Sequence, residues 1–180
     1  MVTAAEELHA GPVTLRRWRP ADAGALLRAV EESLGHLAPW MPWAAHGYTA
    51  ADAEAFLAAA AEAWGTTYDY AIVAPPDAIA GSCSIMARIG PGGFEIGYWV
   101  HPAHTRRGYA TAAAAALARE AFRIGADHVE IVHDIANVAS GAIPRRLGFT
   151  EVTRRPPQEE RTAGEAGLDV VWRLQAPPSR

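Results

Sequence analysis

The chain has 180 residues, half of them hydrophobic and a fifth charged, enough to fill the core of one α/β domain and hard to divide into two. A formal charge of −4 with no long basic run excludes tracking along a nucleic-acid backbone, and no stretch approaches the roughly 18 apolar residues of a membrane span. The lone cysteine, Cys83, suits a reducing compartment, and Met1–Gly11 lacks the basic start and apolar middle of a signal peptide, so the expected location is cytoplasmic.

In chain order, residues 1–12 are expected to form a tail. Val13–Arg17 alternates apolar and polar residues and predicts an opening strand. Pro20-Ala21-Asp22 starts a helix, with Asp22 at the cap and Leu26, Leu27, Val30 and Leu34 on the buried face. Gly35–Tyr48, with two prolines and two tryptophans, reads as a loop, and Thr49–Trp64 as an Ala-rich helix with Phe56 and Leu57 inward. Strands follow at Tyr68–Val73, Ala78–Ala87 and Phe94–Val100. The turns between them, Pro75-Pro76-Asp77 and Gly90-Pro91-Gly92-Gly93, suit antiparallel hairpins. A helix from Gly108 to Ile124 stops at Gly125. His128–His133 is a strand, and Asn137–Leu147 a helix capped by Asn137 and stopped by Gly148. Phe149–Arg154 and Leu168–Leu174 close the sheet. The unit from Phe94 to His133 predicts a right-handed parallel crossover. The expected fold is α/β: a mixed, mostly antiparallel twisted sheet of about seven strands flanked by helices, as one domain over residues 13–174, with residues 175–180 a second tail. Arg155–Gly167 is a polar stretch of 13 residues, read either as a lid or as a plain hairpin connection.

The most informative stretch is F-E-I-G-Y-W-V-H-P-A-H-T-R-R-G-Y-A-T, Phe94–Thr111. A strand ends at Pro102, two arginines follow, and a small-residue turn opens an Ala-rich helix. That order aims free N–H groups and the positive end of a helix dipole at one point. Gly108 and Ala110 leave room for a ligand, and Arg106 and Arg107 add charge, which suits a pyrophosphate. A dinucleotide G-x-G-x-x-G and a Walker lysine are both missing. On residues alone, a plain strand–turn–helix with solvated arginines stays open.

These motifs resemble the GNAT superfamily of acyl-CoA N-acetyltransferases, and within it the RimL-like branch that acetylates ribosomal-protein N-termini. Thr105-Arg106-Arg107-Gly108-Tyr109-Ala110 follows the family signature Q/R-x-x-G-x-G/A from its fourth position onward, with Thr105 in place of Gln or Arg at the first. Glu95–Val100 looks like the family's central strand. Asn137–Ser140 with Leu147-Gly148-Phe149 looks like its second half, and Trp40–Trp43 like the branch's aromatic loop. The likeness covers residues 13–174.

The resemblance implies acetyl-CoA as co-substrate, no metal, and transfer of an acetyl group to a primary amine. Trp99 and Val100 would turn backbone N–H groups toward the pantetheine and thioester at a bulge. Thr105, Arg106, Arg107, Gly108, Tyr109, Ala110 and Thr111 would cradle the pyrophosphate. Asn137 would touch the pantetheine arm, and Ser140 would protonate the departing thiolate. A thiol of ordinary pKa, about 8.5, needs only modest help to leave. The base is Glu95 on the central strand, acting directly or through water, Glu159 in the long loop, with Glu160 beside it, or water itself. Trp40, Trp43 and Tyr48 would wall an acceptor pocket. His101 and His104 form an isolated H-x-x-H without further ligands, and Arg145 and Arg146 read as a solvated helix face. The branch favours a protein N-terminal α-amine, and the mildly acidic chain suits a cationic acceptor. A small-molecule amine acetyltransferase and a non-catalytic acyl-CoA-binding module are the alternatives, and homodimerisation stays open. One departure predicts strain: Gly141 and Pro144 lie inside Asn137–Leu147. Pro144 denies the Ser140 carbonyl its helical donor, which predicts a kink or a tightened turn at Ser140–Pro144, with that carbonyl freed toward the cofactor or a water.

Overall fold

Alternating side chains dominate the strand segments, and one sheet takes them all. A computed structural model describes residues 2–178. Its strands are β1 (Glu7–Ala10), β2 (Val13–Arg17), β3 (Thr67–Ala74), β4 (Ala78–Met86), β5 (Gly93–Val100), β6 (His128–Asp134), β7 (Thr150–Arg155) and β8 (Asp169–Gln175). They form one sheet in the order β1-β2-β3-β4-β5-β6-β8-β7. Every neighbouring pair is antiparallel except β5 and β6, which run parallel as the crossover predicts. The helices are α1 (Ala23–Glu31), α2 (Leu34–Leu37), α3 (Ala50–Glu62), α4 (Tyr109–Arg123) and α5 (Val138–Arg146).

The two faces of the sheet bury different sets of side chains. In β3, Tyr68, Tyr70 and Ile72 turn to one face, where Leu15, Ile85, Ile96, Leu117 and Ile131 join them under α4. The buried stripe of α4 is mostly alanine (Ala113, Ala114, Ala118, Ala121), which lets the helix lie close to the strands. Ala71, one residue out of phase in β3, faces the other side and packs with Trp18, Leu26, Val30, Ala53 and Leu57 under α1 and α3.

The expected loop Gly35–Tyr48 contains most of α2 and a 3₁₀ turn at Pro42–Ala44. Asp22 precedes α1, but its carboxylate makes no cap bond there; it holds Arg16 at 2.9 Å and the Arg19 N–H at 2.7 Å. The N-terminal tail reading is corrected at residues 7–10. Here β1 pairs with β2, Ala4 and Ala10 are buried, and the Ala5 N–H donates to Glu120 Oε1 at 2.6 Å. At the other end Gln175 closes β8, and Ala176 N–H donates to the Asp127 carbonyl. Met1, Ser179 and Arg180, part of the expected tails, lie outside the described residues.

β5 and β6 pair only at Gly93↔His128, Phe94↔Val129 and Glu95↔Glu130. Beyond that point β5 pairs only with β4, and β6 only with β8. The sheet therefore splits down its middle, between the strands that precede α4 and α5.

Candidate active site

The split leaves backbone groups of β5 without a strand partner. His101 N–H donates to the Ala80 carbonyl at 2.8 Å, so residues of odd number in this stretch turn their backbone toward β4. By the same alternation the N–H groups of Tyr98 and Val100 face the split. The β4–β5 register runs without a shift from Gly81↔Val100 to Met86↔Glu95. The bulge expected at Trp99–Val100 is therefore not formed, and Trp99 N–H belongs to the ladder. Divergence from β6, and not a bulge, exposes the N–H of Val100 together with that of Tyr98.

On the α4 side lies a cleft of about 910 Å³. Gly108 occupies the N-cap of α4 at φ 75°, a left-handed conformation that favours glycine, and offers no side chain to cap the helix. Arg106 is left-handed too, at φ 61°. The first helical bond runs from Ala112 N–H to the Gly108 carbonyl, so the N–H groups of Tyr109, Ala110 and Thr111 are free at the positive end of a 15-residue helix. Left-handed turns at Arg106 and Gly108, just before an uncapped helix, make an anion-binding concavity. Thr105, Arg106, Gly108, Tyr109, Ala110 and Thr111 all line the cleft; Arg107 is exposed and does not. The Thr105 hydroxyl is spent on the Pro102 carbonyl at 2.9 Å. His104 stacks on Tyr109, and its Nδ1 is buried without a partner in the cleft wall. Burial first, then Arg107 and His101, hold its pKa below the usual value. His101 instead accepts the Ala103 N–H on Nδ1 and meets Glu32 through Nε2 at 2.9 Å. No cluster of three metal-ligating side chains forms among the described residues.

On the opposite face lies a cavity of about 920 Å³ under the Arg155–Gly167 stretch. Trp40, Trp43 and Tyr48 line it. Trp43 meets Tyr48 edge-on at 5.7 Å and Trp99 at 6.3 Å. Burial, and then Asp52, push the Tyr48 hydroxyl up to about 12. Glu95, Glu159 and Glu160 also line this cavity. Glu95 is held by Arg88 through two bonds, 2.6 and 3.1 Å, whereas Glu159 stands on the exposed stretch.

The cleft and the cavity share Trp40, Met41, Tyr98, Trp99, Asn137 and Ser140, so they meet at the split. Asn137 caps α5 by accepting the Ser140 N–H at 3.3 Å. The Tyr98 hydroxyl lies 3.2 Å from the Ser140 carbonyl and 3.3 Å from Ser140 Oγ. Burial raises its pKa to about 12, against the opposing Ser140 bond, so it is a neutral donor. The expected fate of the Ser140 carbonyl is thus half right. Pro144 does free it, and it does face the cleft, but a tyrosine hydroxyl takes it and the helix runs unbroken to Arg146. Gly141 has its own cause: a Cβ there would lie 2.5 Å from the His133 ring. That ring is fixed by the indole N–H of Trp172 on Nε2 at 2.9 Å and by the Asp134 carbonyl at Nδ1. Arg145 and Arg146 are exposed. Arg145 lies over Trp172, and Arg146 reaches the cleft wall.

The structure thus brings the sequence candidates to one split, apart from Arg107. Tyr98, Arg88, Asp134 and Asp169 also line its mouths, though sequence reasoning gave them no role. For Tyr98 a signal existed, since it sits in the quoted strand in phase with the buried Ile96; for the others the neighbours are distant in sequence.

No curated protein sequence matches the chain. Solved structures do, with low identity. A RimL ribosomal L7/L12 α-N-protein acetyltransferase in complex with coenzyme A superposes with a TM-score of 0.85 at 22% identity, covering 94% of this chain and 98% of that one. RimJ from Mycobacterium smegmatis in complex with CoA-disulfide gives 0.81 at 24% identity, over 97% and 88%. The microcin C7 self-immunity acetyltransferase MccE, in complex with acetyl-CoA and AMP, gives 0.82 at 20% identity, over 92% and 93%. These likenesses establish the fold. The family model for the acetyltransferase (GNAT) domain matches residues 13–150, more than two thirds of the sequence, and the chain belongs to that family.

Proposed function

We propose that the chain transfers an acetyl group from acetyl-CoA to a primary amine, and that the preferred acceptor is a protein N-terminal α-amine. The observation that carries this reading is a single passage through the sheet. It opens on the uncapped N-terminus of α4 at one end and on an aromatic, carboxylate-rich cavity at the other.

Acetyl-CoA would supply an activated thioester, and the residues present fit it. The free N–H groups of Tyr109–Thr111, with the Arg106 and Gly108 backbone turns, suit its pyrophosphate, and the unpartnered His104 Nδ1 lies in the same wall. The N–H groups of Tyr98 and Val100 suit the amide-bearing arm and the carbonyl oxygen on which charge develops. Ser140 Oγ, in reach of the neutral Tyr98 hydroxyl, is suited to hand a proton to the leaving sulfur. On the far side, Trp40, Trp43 and Tyr48 wall the acceptor, and Glu95 or Glu159 receives the proton the amine must shed.

The likeness to RimL and RimJ supports a protein α-amine. The likeness to MccE supports a second reading, a small-molecule amine. A thiol-release assay with acetyl-CoA decides between them: N-terminal peptides are expected to be acetylated faster than polyamines or aminoglycosides. Acetyl-CoA at a hundredfold excess over Kd should stabilise the protein by about 2.7 kcal/mol, read as a rise in Tm. Gly108→Asp, which places bulk and negative charge at the cradle, should abolish that rise. Stabilisation by NAD or ATP and none by acetyl-CoA would overturn the reading.

A further inference from the structure

The carboxylates of the loop-side cavity are not equivalent. Asp52 is occupied by the Thr49 N–H and hydroxyl at 2.8 and 2.7 Å. Glu95 is bridged twice by Arg88. Asp134 accepts four backbone N–H groups, from Ala136, Ala166, Gly167 and Leu168. Glu165 takes the Thr162 N–H at 2.7 Å, and Glu159 and Glu160 are exposed on the long stretch. Asp169 differs from all of these. It is partly buried, it lines the cavity, and among the described residues no donor lies within hydrogen-bonding distance of it.

Its position explains the vacancy. Asp169 is the first residue of β8, opposite Asp134 on β6 and opposite Arg155 on β7. Asp134 cannot donate to it. The Arg155 guanidinium, a cross-strand neighbour, acts on it only through space, and Arg155 Nε is itself buried without an acceptor among the described residues. Cross-strand pairs of opposite charge ordinarily close. Here a half-buried carboxylate and a half-buried guanidinium stay apart at the edge of the cavity. The Asp169 oxygens stay open to the cavity and untaken by any protein donor among the described residues, so a cation entering there meets a free acceptor of opposite charge.

We propose that Asp169 receives the ammonium group of the acceptor and so sets the acceptor end of the passage. The proposal rests on the amine-acceptor reading and deepens it by naming the residue that recognises the charge. An ammonium offers three N–H donors and a positive charge, and no N–H of the described residues reaches the Asp169 carboxylate. The groups facing Asp169 are consistent with that occupant. Asp134, Glu165 and Glu95 are negative; Arg155 is positive, and Arg88 lines the same cavity already paired to Glu95. His133, behind Asp134, is held neutral chiefly by burial. Burial first, and then Glu165, Asp134 and Glu95, raise the Asp169 pKa above the usual carboxylate range, with Arg155 opposing. An adjacent ammonium offsets both causes. Glu95 is less suited to this task because Arg88 already satisfies it.

The test is steady-state kinetics on the full chain with two acceptor probes, Ala-Ala-Ala amide and spermidine, and with lactoyl-Ala-Ala amide as a competitor in which a hydroxyl replaces the ammonium. Asp169→Asn should raise the KM of whichever probe is acetylated by about tenfold or more, in line with loss of a charged hydrogen bond. The KM for acetyl-CoA should stay within twofold. The hydroxyl competitor should inhibit wild type and variant equally, a result a merely structural role would not produce. Asp169→Glu, which keeps the charge, should recover most of the acceptor affinity. An acceptor KM within twofold of wild type in Asp169→Asn overturns the proposal. So does an Asp169→Asn protein that no longer binds acetyl-CoA, because the residue then serves the fold. Acetylation of neither probe by wild type is a separate outcome: it sinks the amine-acceptor reading and takes this proposal with it.

Discussion

The Ser140 carbonyl shows how one residue's backbone becomes part of a site. In a regular helix the N–H of residue 144 would hold it, but Pro144 has none. The Tyr98 hydroxyl, arriving from β5, replaces that donor and also reaches Ser140 Oγ. The bond therefore ties α5 to the central strand across the split. On the proposed role of Ser140 as proton donor to the leaving sulfur, Ser140→Ala should lower kcat while leaving the KM for acetyl-CoA nearly unchanged. Tyr98→Phe should do more. It leaves a carbonyl unsatisfied inside the fold and should cost about 1–3 kcal/mol of stability, read in a urea midpoint, as well as lowering kcat. Equal stability of Tyr98→Phe and wild type would show that water replaces the hydroxyl freely. The sequence made half of this legible. Pro144 announces an orphaned carbonyl by its chemistry alone. Nothing near it in the sequence announces a tyrosine 42 positions away.

At the scale of elements, the Arg155–Gly167 stretch is ordered at its far end by one buried side chain. Asp134 closes β6 and binds the N–H groups of Ala166, Gly167 and Leu168, just before β8 begins. The Pro39 carbonyl holds the middle, accepting from the Thr162 hydroxyl and the Gly164 N–H. Both contacts press the stretch against the cavity wall. Burial raises the Asp134 pKa, but the four N–H bonds outweigh it and hold the carboxyl below its ordinary value. The sign follows from linkage: a depressed folded pKa stabilises the protein above the unfolded value, about 3.9, and that stability is lost as pH falls through the folded value. Asp134→Asn should therefore lower stability at pH 7 and flatten its decline between about pH 4 and pH 2, measured as urea midpoints across that range. An unchanged acid limb would assign the decline to other carboxylates. Strands β2 to β8 and helices α1, α3, α4 and α5 were readable because each carries its own alternation, cap or stop. The anchors of the long stretch were not, because Asp134 and Pro39 lie far from it in sequence. The bulge expected at Trp99–Val100 failed for a related reason: the backbone is exposed by β6 turning away, a relation between two strands that no single strand encodes.

For the whole molecule, the strand that escaped sequence reading separates stability from binding. Glu7–Ala10 is short and half polar, and only its pairing with β2 makes it a strand. It is held from far along the chain. Glu120 of α4, buried and paired with Arg123, accepts the Ala5 N–H, and the fully buried Tyr70 donates its hydroxyl to the Ala5 carbonyl at 2.8 Å. Removing residues 1–10 would leave the Tyr70 hydroxyl without its acceptor, take one of Glu120's donors and leave it to Arg123, and uncover the core beside Ala4 and Ala10. A chain of this size loses roughly 2–4 °C of Tm per kcal/mol, so a drop on the order of 5–10 °C is expected from two lost buried bonds and the exposed surface. The proposed phosphate cradle lies at the opposite end of the same helix, where Tyr109–Thr111 stand about 15 Å from Glu120 at 1.5 Å per residue. Acetyl-CoA affinity should therefore stay within about twofold when measured below the lowered Tm. A truncated protein with wild-type Tm would deny β1 its part in the core. One that keeps its fold but loses acetyl-CoA would show that α4 carries strain from one end to the other, making the helix a lever between the sheet edge and the cradle.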